Sequence, residues 1–307
     1  MLVTSSIDQI KTPTAIALGN FDGIHQGHQT VLQPIINFSK SKHQPRIYPS
    51  VVSFVPHPRE FFTGGKLQLL TPVAEKAQVL SELGIEQLIL LPFDRHLASL
   101  TPQEFVRLLH EKLKATTLSV GSDFRFGHQR KGTAKDLKNI ARDWDITVYV
   151  NSLHEYTDSD RAVRVSSSLI RQALSEGKIS LANTMLGRPY SLLGTVVAGQ
   201  QLGRTIGFPT ANLKLPPEKF LPNYGVYSVD VFLQQITVKG VMNIGCRPTV
   251  AGKAPTVEVH LLNWSGDLYG QTVRVNLTQF IRPEQKFDSV EALKQQITKD
   301  CQLVLNS

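Results

Sequence analysis

Two kinds of hydrophobic patterning divide this chain. From Thr14 to about Leu186, short apolar runs alternate with stretches of helical spacing, the signature of a parallel sheet with crossover helices. Thr14–Leu18, Ile47–Phe54, Gln87–Leu91, Thr117–Val120 and Thr147–Val150 read as strands. Helices are expected over 74–83, 103–113, 133–144 and 168–176. Thr71-Pro72 and Thr101-Pro102 supply an N-cap and an N1 proline for the first two, and Gly177 closes the last. After Leu186 the helical period vanishes. Glycine and proline recur every few residues between β-branched runs at 194–197, 226–232, 235–241, 256–262 and 271–280, and one amphipathic stretch, 289–305, ends the chain. The predicted fold is therefore an α/β Rossmann-like domain with a parallel sheet over 1–186, followed by an antiparallel β-barrel with a terminal helix over 187–307. No repeat or low-complexity linker separates them; Gly187-Arg188-Pro189 reads as a short junction.

Length and composition agree with two soluble domains: 307 residues, 41% hydrophobic and 19% charged. The longest apolar runs, such as Leu88–Leu91, fall far short of the roughly 18 residues of a membrane span, and the polar N-terminus lacks a basic n-region, so neither a membrane nor a secretory route is expected. Two cysteines, Cys246 and Cys301, cannot build a disulfide framework; a reducing, cytoplasmic setting follows. The net charge of +8 is shared evenly, +4 in residues 1–186 and +4 in 187–307, with no basic tail. With aromatics at 7% and no aromatic cluster in a basic groove, phosphorylated small molecules explain the charge better than nucleic acid does.

Candidate chemistry concentrates in two places. Gly19-Asn-Phe-Asp-Gly-Ile-His-Gln-Gly-His28 follows the first strand. Ligands of open α/β sheets bind at strand carboxyl ends, where helix N-termini offer N–H groups to anions. Gly19 and Gly23 permit a tight turn, and Gly27 would let a phosphate approach the backbone. His25 and His28, three apart in a first helical turn, would project to one side and donate hydrogen bonds to a phosphoryl group. The plainer alternative is a pair of surface or capping histidines. Gly127-His-Gln-Arg-Lys-Gly-Thr133 has two glycines spaced as in a P-loop but Thr where Lys would follow, so it reads as a basic loop. In the second half, Gly199, Gly203 and Gly207 could cradle phosphates beside Arg204. Thr210 and Asn212 alternate along an extended segment and could share one hard cation, although alone the stretch could be a cluster of β-turns.

The first string resembles the His-x-Gly-His signature of the nucleotidyltransferase superfamily. More fully, it is similar to the bifunctional prokaryotic riboflavin kinase/FMN adenylyltransferases, the FAD synthetases. Phe54-Val-Pro-His-Pro58, Gly121-Ser-Asp-Phe-Arg-Phe-Gly127 and Val165-Ser-Ser-Ser-Leu-Ile-Arg171 continue the likeness in order. Gly187-Arg-Pro-Tyr190, Pro209-Thr-Ala-Asn212, Leu221-Pro222 with Gly225-Val-Tyr227, Asn243-Ile-Gly245 with Arg247-Pro-Thr249, Glu258-Val-His260, Asp267-Leu-Tyr-Gly270 and Arg282-Pro-Glu284 carry it through the barrel. Asn263-Trp264 departs from a common Asp-Phe pair.

The resemblance implies two activities: phosphorylation of riboflavin to FMN in the barrel, and adenylylation of FMN to FAD with release of pyrophosphate in the α/β domain. It implies ATP-binding roles for Gly19, Phe21, Asp22, Gly23, Gly27, Ser168 and Arg171, with catalysis by His25 and His28. It implies a flavin or nucleotide loop at Asp123, Phe124, Arg125 and Phe126. In the barrel it implies phosphate binding by Gly199, Gly203, Arg204 and Gly207, Mg²⁺ with ATP at Thr210 and Asn212, and Glu258 as general base. Riboflavin, FMN and ATP are the expected partners, with FMN and FAD as substrate and product instead of prosthetic groups, no nucleic acid or membrane, and self-association allowed. The rivals are a monofunctional adenylyl- or cytidylyltransferase whose barrel only binds, and a nucleic-acid-binding barrel.

Overall fold

The computed structural model describes residues 1–40, 46–152, 154–158, 161–199, 202–249 and 252–306. Contacts divide the chain into two compact units, Met1–Ser167 and Ser168–Ser307, so the two helices before Gly187 fall with the barrel unit.

The first unit is built on a six-stranded, all-parallel sheet. Its strands are β1 (Leu2–Thr4), β2 (Thr14–Leu18), β3 (Tyr48–Val55), β4 (Gln87–Pro92), β5 (Ala115–Gly121) and, after the short ribbon β6 (Arg125–Phe126) with β7 (Gly132–Thr133), β8 (Thr147–Asn151). The order is β1-β4-β3-β2-β5-β8. From β2 the chain first winds out through β3 and β4, then returns to the other side with β5. The order therefore reverses beside β2, and open α/β sheets bind ligands at the carboxyl ends of strands at such a point. A hairpin of β9 (Glu155–Asp158) and β10 (Arg161–Arg164) follows the sheet.

Alternation along β2 feeds two cores. Ala15 and Ala17 face α1 (Gln26–Lys40), while Ile16 and Leu18 pack with Phe105, Val106 and Leu109 on the opposite face. The remaining helices of the unit are α2 (Pro58–Thr63), α3 (Val73–Glu82), α4 (Arg95–Ser99), α5 (Pro102–Leu113) and α6 (Ala134–Ala141). α5 has the expected start: Pro102 at N1 and a capping box between Thr101 and Glu104. α3 does not. Its N-cap is Pro72 without a side-chain bond, and the Thr71 hydroxyl instead accepts the Gly23 N–H at 2.8 Å. A residue expected to cap a helix is used to hold a loop. Likewise Thr133, at the end of the basic Gly127–Thr133 loop, caps α6 in a box with Asp136.

The second unit opens with α7 (Ser167–Ser175, from its second residue on) and α8 (Ile179–Leu186), then a closed antiparallel barrel. Its strands are β11 (Tyr190–Val197), β12 (Ala211–Lys214), β13 (Gly225–Leu233), β14 (Ile236–Thr249), β15 (Gly252–Leu261) and β16 (Thr272–Pro283), ordered β11-β12-β15-β14-β13-β16, with the one-turn α9 (Leu202–Thr205) before β12. The terminal helix α10 (Val290–Asn306) lays Cys301 and Val304 on Val226, Val241 and Leu262. Its buried Asp300 takes a bidentate bond from Arg282 (3.1 and 2.8 Å to Oδ2) and another from Gln296 (2.9 Å), which satisfies the buried carboxylate.

Candidate functional site

In the first unit the turn from β2 to α1 is backbone under strain. Phe21 (φ 48°), Gly23 (φ 85°) and Ile24 (φ 44°) are all left-handed. For Phe and the β-branched Ile that conformation costs about 1–3 kcal/mol each and persists only where the surroundings over-determine it. They do here. Lys76 Nζ on α3 donates to the Asn20 carbonyl at 2.6 Å and to Ser53 Oγ at 3.2 Å, and Ser53 itself donates to the same carbonyl at 3.2 Å. Asp22 Oδ1 accepts the Thr71 N–H (3.1 Å), and the Asp22 carbonyl accepts from the Ser167 hydroxyl (2.8 Å).

The turn ends at the two histidines. They are not both inside the helix, as the spacing suggested. His25 precedes α1; the His28 N–H bonds to the His25 carbonyl at 2.8 Å and is shared with His25 Nδ1 at 3.3 Å, a side-chain cap on the helix terminus. With Nδ1 accepting, the ring proton of His25 resides on Nε2. The two imidazoles stack at 3.7 Å between centroids. Gly27 makes this possible, since a Cβ there would press to 3.2 Å from the His25 ring. The first turn of α1 contains no acidic side chain that would compete with an anion for its N-terminal dipole. Phe21 lies in the core beneath, 1% exposed, with its ring 5.2 Å from His28 and packed on Gly19. Phe21 and Asp22 thus shape the turn; the Asp22 carboxylate is engaged with backbone.

The Gly121–Gly127 loop is mostly structural. Phe126 is buried in the core against Phe105, Phe124 stacks on Phe126, and Asp123 pairs with Arg164 of β10. Arg125 remains exposed. Ser168 and Arg171 lie on α7 and belong to the second unit, where the Arg171 guanidinium is 5.8 Å from the Phe220 ring.

Burial pushes the Lys76 ammonium down to about 8, with Asp22 opposing the shift. Between that value and the ordinary 10.5 the unfolded chain holds a proton that the folded chain does not, so this group makes stability rise with pH across the window. Urea unfolding of wild type and Lys76→Met at pH 7.5 and 10 is expected to show the difference moving in favour of wild type at the higher pH. A difference independent of pH would mean that no buried ammonium titrates there.

The second site lies on the outer face of the barrel. Val197, Asn212, Glu258 and Asn243 are successive partners across β11, β12, β15 and β14. Residues opposite one another in antiparallel strands share a face, so Asn212 and Asn243 flank Glu258. Thr210 Oγ1 donates to Glu258 Oε2 at 3.3 Å. The glycine loop lies directly on this row. A Cβ at Gly199 would overlap the Asn212 amide, and one at Gly203, now in α9, would overlap the Phe208 carbonyl. Gly199 and Gly203 therefore admit the Pro209–Asn212 segment, whereas Gly207 (φ 90°) has open space around its Cα. Gln200 and Gln201 of this loop lie outside the described residues.

His260, two residues along from Glu258 on the same face, donates from Nδ1 to the Pro209 carbonyl at 2.8 Å and meets Phe208 edge-on. Beside it opens a cavity of about 340 Å³ lined by Arg204, Thr210, Trp264, Ser265, Asp267 and Tyr269. The Trp264 of the unusual pair is part of this wall.

Comparison with known proteins supplies the family. Residues 7–169 match the FAD synthetase model and residues 186–307 the riboflavin kinase model. A bifunctional riboflavin kinase/FMN adenylyltransferase of Escherichia coli (strain K12) is 41% identical over 288 residues, covering 93% of this chain and 90% of the relative. The chain belongs to this bifunctional family. Its member in Bacillus subtilis (strain 168) is 35% identical over 301 residues, covering 96% of this chain and 93% of that one. The crystal structure of a macrolide-efflux protein from Streptococcus pneumoniae superposes with a TM-score of 0.86 at 33% identity, covering 100% of this chain and 99% of the other. Among the described residues no helix is long and apolar enough to cross a membrane.

Several residues to which the sequence assigned no part in either site turn out to support one. Asn20, Thr71 and Lys76 hold the His25–His28 turn, Asn243 stands opposite Glu258, and His260 fixes the Pro209 segment. The Asn20 Oδ1 is buried without a hydrogen-bond partner among the described residues. Glu284 lies over Gly245, where a Cβ would come 3.2 Å from the Asn243 amide nitrogen. A signal existed for Asn20, Asn243 and His260, which share motifs with His25, Gly245 and Glu258; Thr71 and Lys76 lie outside every motif.

Proposed function

We propose that this protein phosphorylates riboflavin to FMN in the barrel and adenylylates FMN to FAD in the α/β unit, consuming an ATP at each step. The observation that carries the kinase assignment is the meeting of Glu258 with Thr210 and Asn212 on one outward-facing row.

Riboflavin presents a primary ribityl hydroxyl, a poor nucleophile until its proton has somewhere to go. Glu258 accepts that proton as the oxygen bonds to the γ-phosphorus of ATP and the bond to ADP breaks. Thr210 Oγ1 orients the carboxylate, and His260 holds the segment that carries Thr210. The neutral oxygens of Thr210 and Asn212 suit Mg²⁺, which keeps most of its coordination as water and phosphate oxygen. The fit is physical: Gly199 lets the Asn212 amide sit where another side chain would displace it. Bound there, the ion would neutralise charge on the transferring phosphoryl group. The 340 Å³ cavity beside Arg204 is large enough for a nucleoside and offers Trp264 to an adenine ring.

Adenylyl transfer needs no strong base, because the FMN phosphate is already anionic. Its oxygen attacks the α-phosphorus of ATP and pyrophosphate leaves. The task is to stabilise charge on the α-phosphoryl oxygens and the leaving group, which the His25 and His28 donors and the α1 N-terminus meet. Ser168 and Arg171 are assigned to the triphosphate on their motif alone, and Arg125 to the flavin phosphate or nucleotide on its exposure. The free thiols of Cys246 and Cys301 support a reducing, cytoplasmic setting.

The direct test incubates the protein with riboflavin, ATP and Mg²⁺ and separates the flavins. FMN and then FAD are expected; FAD from added FMN without FMN from riboflavin would reduce the barrel to a binding module, and neither product would end the proposal.

A narrower test concerns the cation. Asn212→Leu removes one of two neutral oxygen ligands, so the magnesium concentration needed for half-maximal riboflavin phosphorylation should rise about tenfold or more, with partial recovery at high magnesium. An unchanged magnesium titration would leave Pro209–Asn212 as a structural turn.

A further inference from the structure

We infer that Lys76 is a positioning residue for adenylyl transfer: its buried ammonium holds the Asn20 carbonyl and so keeps the turn that delivers His25 and His28 in its left-handed form. The inference rests on the adenylyltransferase reading of the first unit and deepens it.

Lys76 is only 7% exposed on a helix whose amphipathic pattern would lead one to place a lysine in water. Methionine would fill the same space without the cost of burying charge. What methionine lacks is a donor, and the Lys76 ammonium donates to the apparatus of this turn: the Asn20 carbonyl at 2.6 Å and the Ser53 hydroxyl at 3.2 Å. Because the peptide is planar and trans, drawing the Asn20 carbonyl toward α3 turns the Phe21 N–H the opposite way. It therefore sets the backbone at the first of the left-handed residues, Phe21, Gly23 and Ile24.

The other ties act further along. Thr71 holds the Gly23 N–H, Asp22 holds Thr71, and Ser167 holds the Asp22 carbonyl. Among these described ties Lys76 supplies the one cationic donor, and charge-assisted bonds are roughly twice as strong as neutral ones. Asp22, buried at 5% exposure, is the acidic group that faces it from the turn, and Glu75 is its buried neighbour on α3. The ammonium acts through the turn, because the imidazoles and the α1 N-terminus are what meet phosphate.

The test is Lys76→Met in the full-length protein, with three readouts. The kcat for making FAD from FMN and ATP should fall about 10²-fold, the effect of displacing catalytic groups by around an ångström, while KM for ATP changes less than about threefold. Riboflavin phosphorylation should continue at the wild-type rate. Amide exchange over residues 20–28 should accelerate by about tenfold or more, with β2 and β3 still protected. An unchanged kcat overturns the inference, as does faster exchange throughout the sheet. Should the variant fail to fold, Ser53→Ala, which removes one donor to Asn20 and one partner of Lys76, decides: a several-fold drop in kcat at constant KM supports the clamp, and wild-type kinetics overturn it. If wild type makes no FAD at all, the adenylyltransferase reading fails, while exchange over residues 20–28 still reports whether Lys76 holds the turn.

Discussion

Glu258→Gln should slow riboflavin phosphorylation by about 10²- to 10⁴-fold, the usual worth of a positioned general base, and leave FAD formation from supplied FMN close to wild type. The amide keeps the size of the carboxylate and can still accept from Thr210 Oγ1, which stands 3.3 Å from Glu258 Oε2. Only proton acceptance is lost. Because the ribityl proton moves mainly in the transition state, the loss should fall on kcat, with KM for riboflavin and ATP little altered. The FMN phosphate has no such proton to lose and reacts at a site in the other unit. Equal loss of both activities would point to damaged folding, and near-normal FMN production would remove Glu258 from the mechanism.

The sequence was most legible where a single local rule governs structure. Ile16 and Leu18 alternate with Ala15 and Ala17, so β2 was readable, and Thr101-Pro102 with Glu104 marks a helix start through bonds that span three residues. β12 was missed because it is four residues long and its role comes from partners in β11 and β15, far away in the chain. The same distance hid the best-supported parts of the first site. Lys76 and Asn20 are 56 residues apart, and Thr71 and Gly23 are 48 apart. From sequence alone, Thr71-Pro72 looks like a cap and Lys76 like a solvated helix face.

The motif strings mixed solvent-facing residues with those that shape the loop. Phe126 and Phe21 are core, Asp123 is paired with Arg164, and Gly203 makes room for a carbonyl. Burial separates the two groups, and periodicity in a loop cannot report it. His25 shows the same limit: spacing placed it beside His28 correctly but could not reveal that its Nδ1 caps the helix, which leaves Nε2 as its donor.

That division between the histidines shapes the last prediction. His28→Ala should lower the rate of FAD formation by about 10²-fold or more, the usual worth of a hydrogen-bond donor to developing phosphoryl charge. Riboflavin phosphorylation should persist, so FMN accumulates when riboflavin is the substrate. The fold should tolerate the change: the His28 backbone N–H still reaches His25 Nδ1, and alanine is the best helix former. His25→Ala should be worse in one respect, since it removes both a donor and the cap on α1. That variant should therefore show a lower unfolding midpoint as well as a lower rate, whereas His28→Ala loses rate with its midpoint almost unchanged. FAD formation at the wild-type rate in His28→Ala would displace the chemistry from this turn. An equal drop in midpoint for both variants would mean that the stacked pair is a structural unit, with the phosphoryl donors elsewhere.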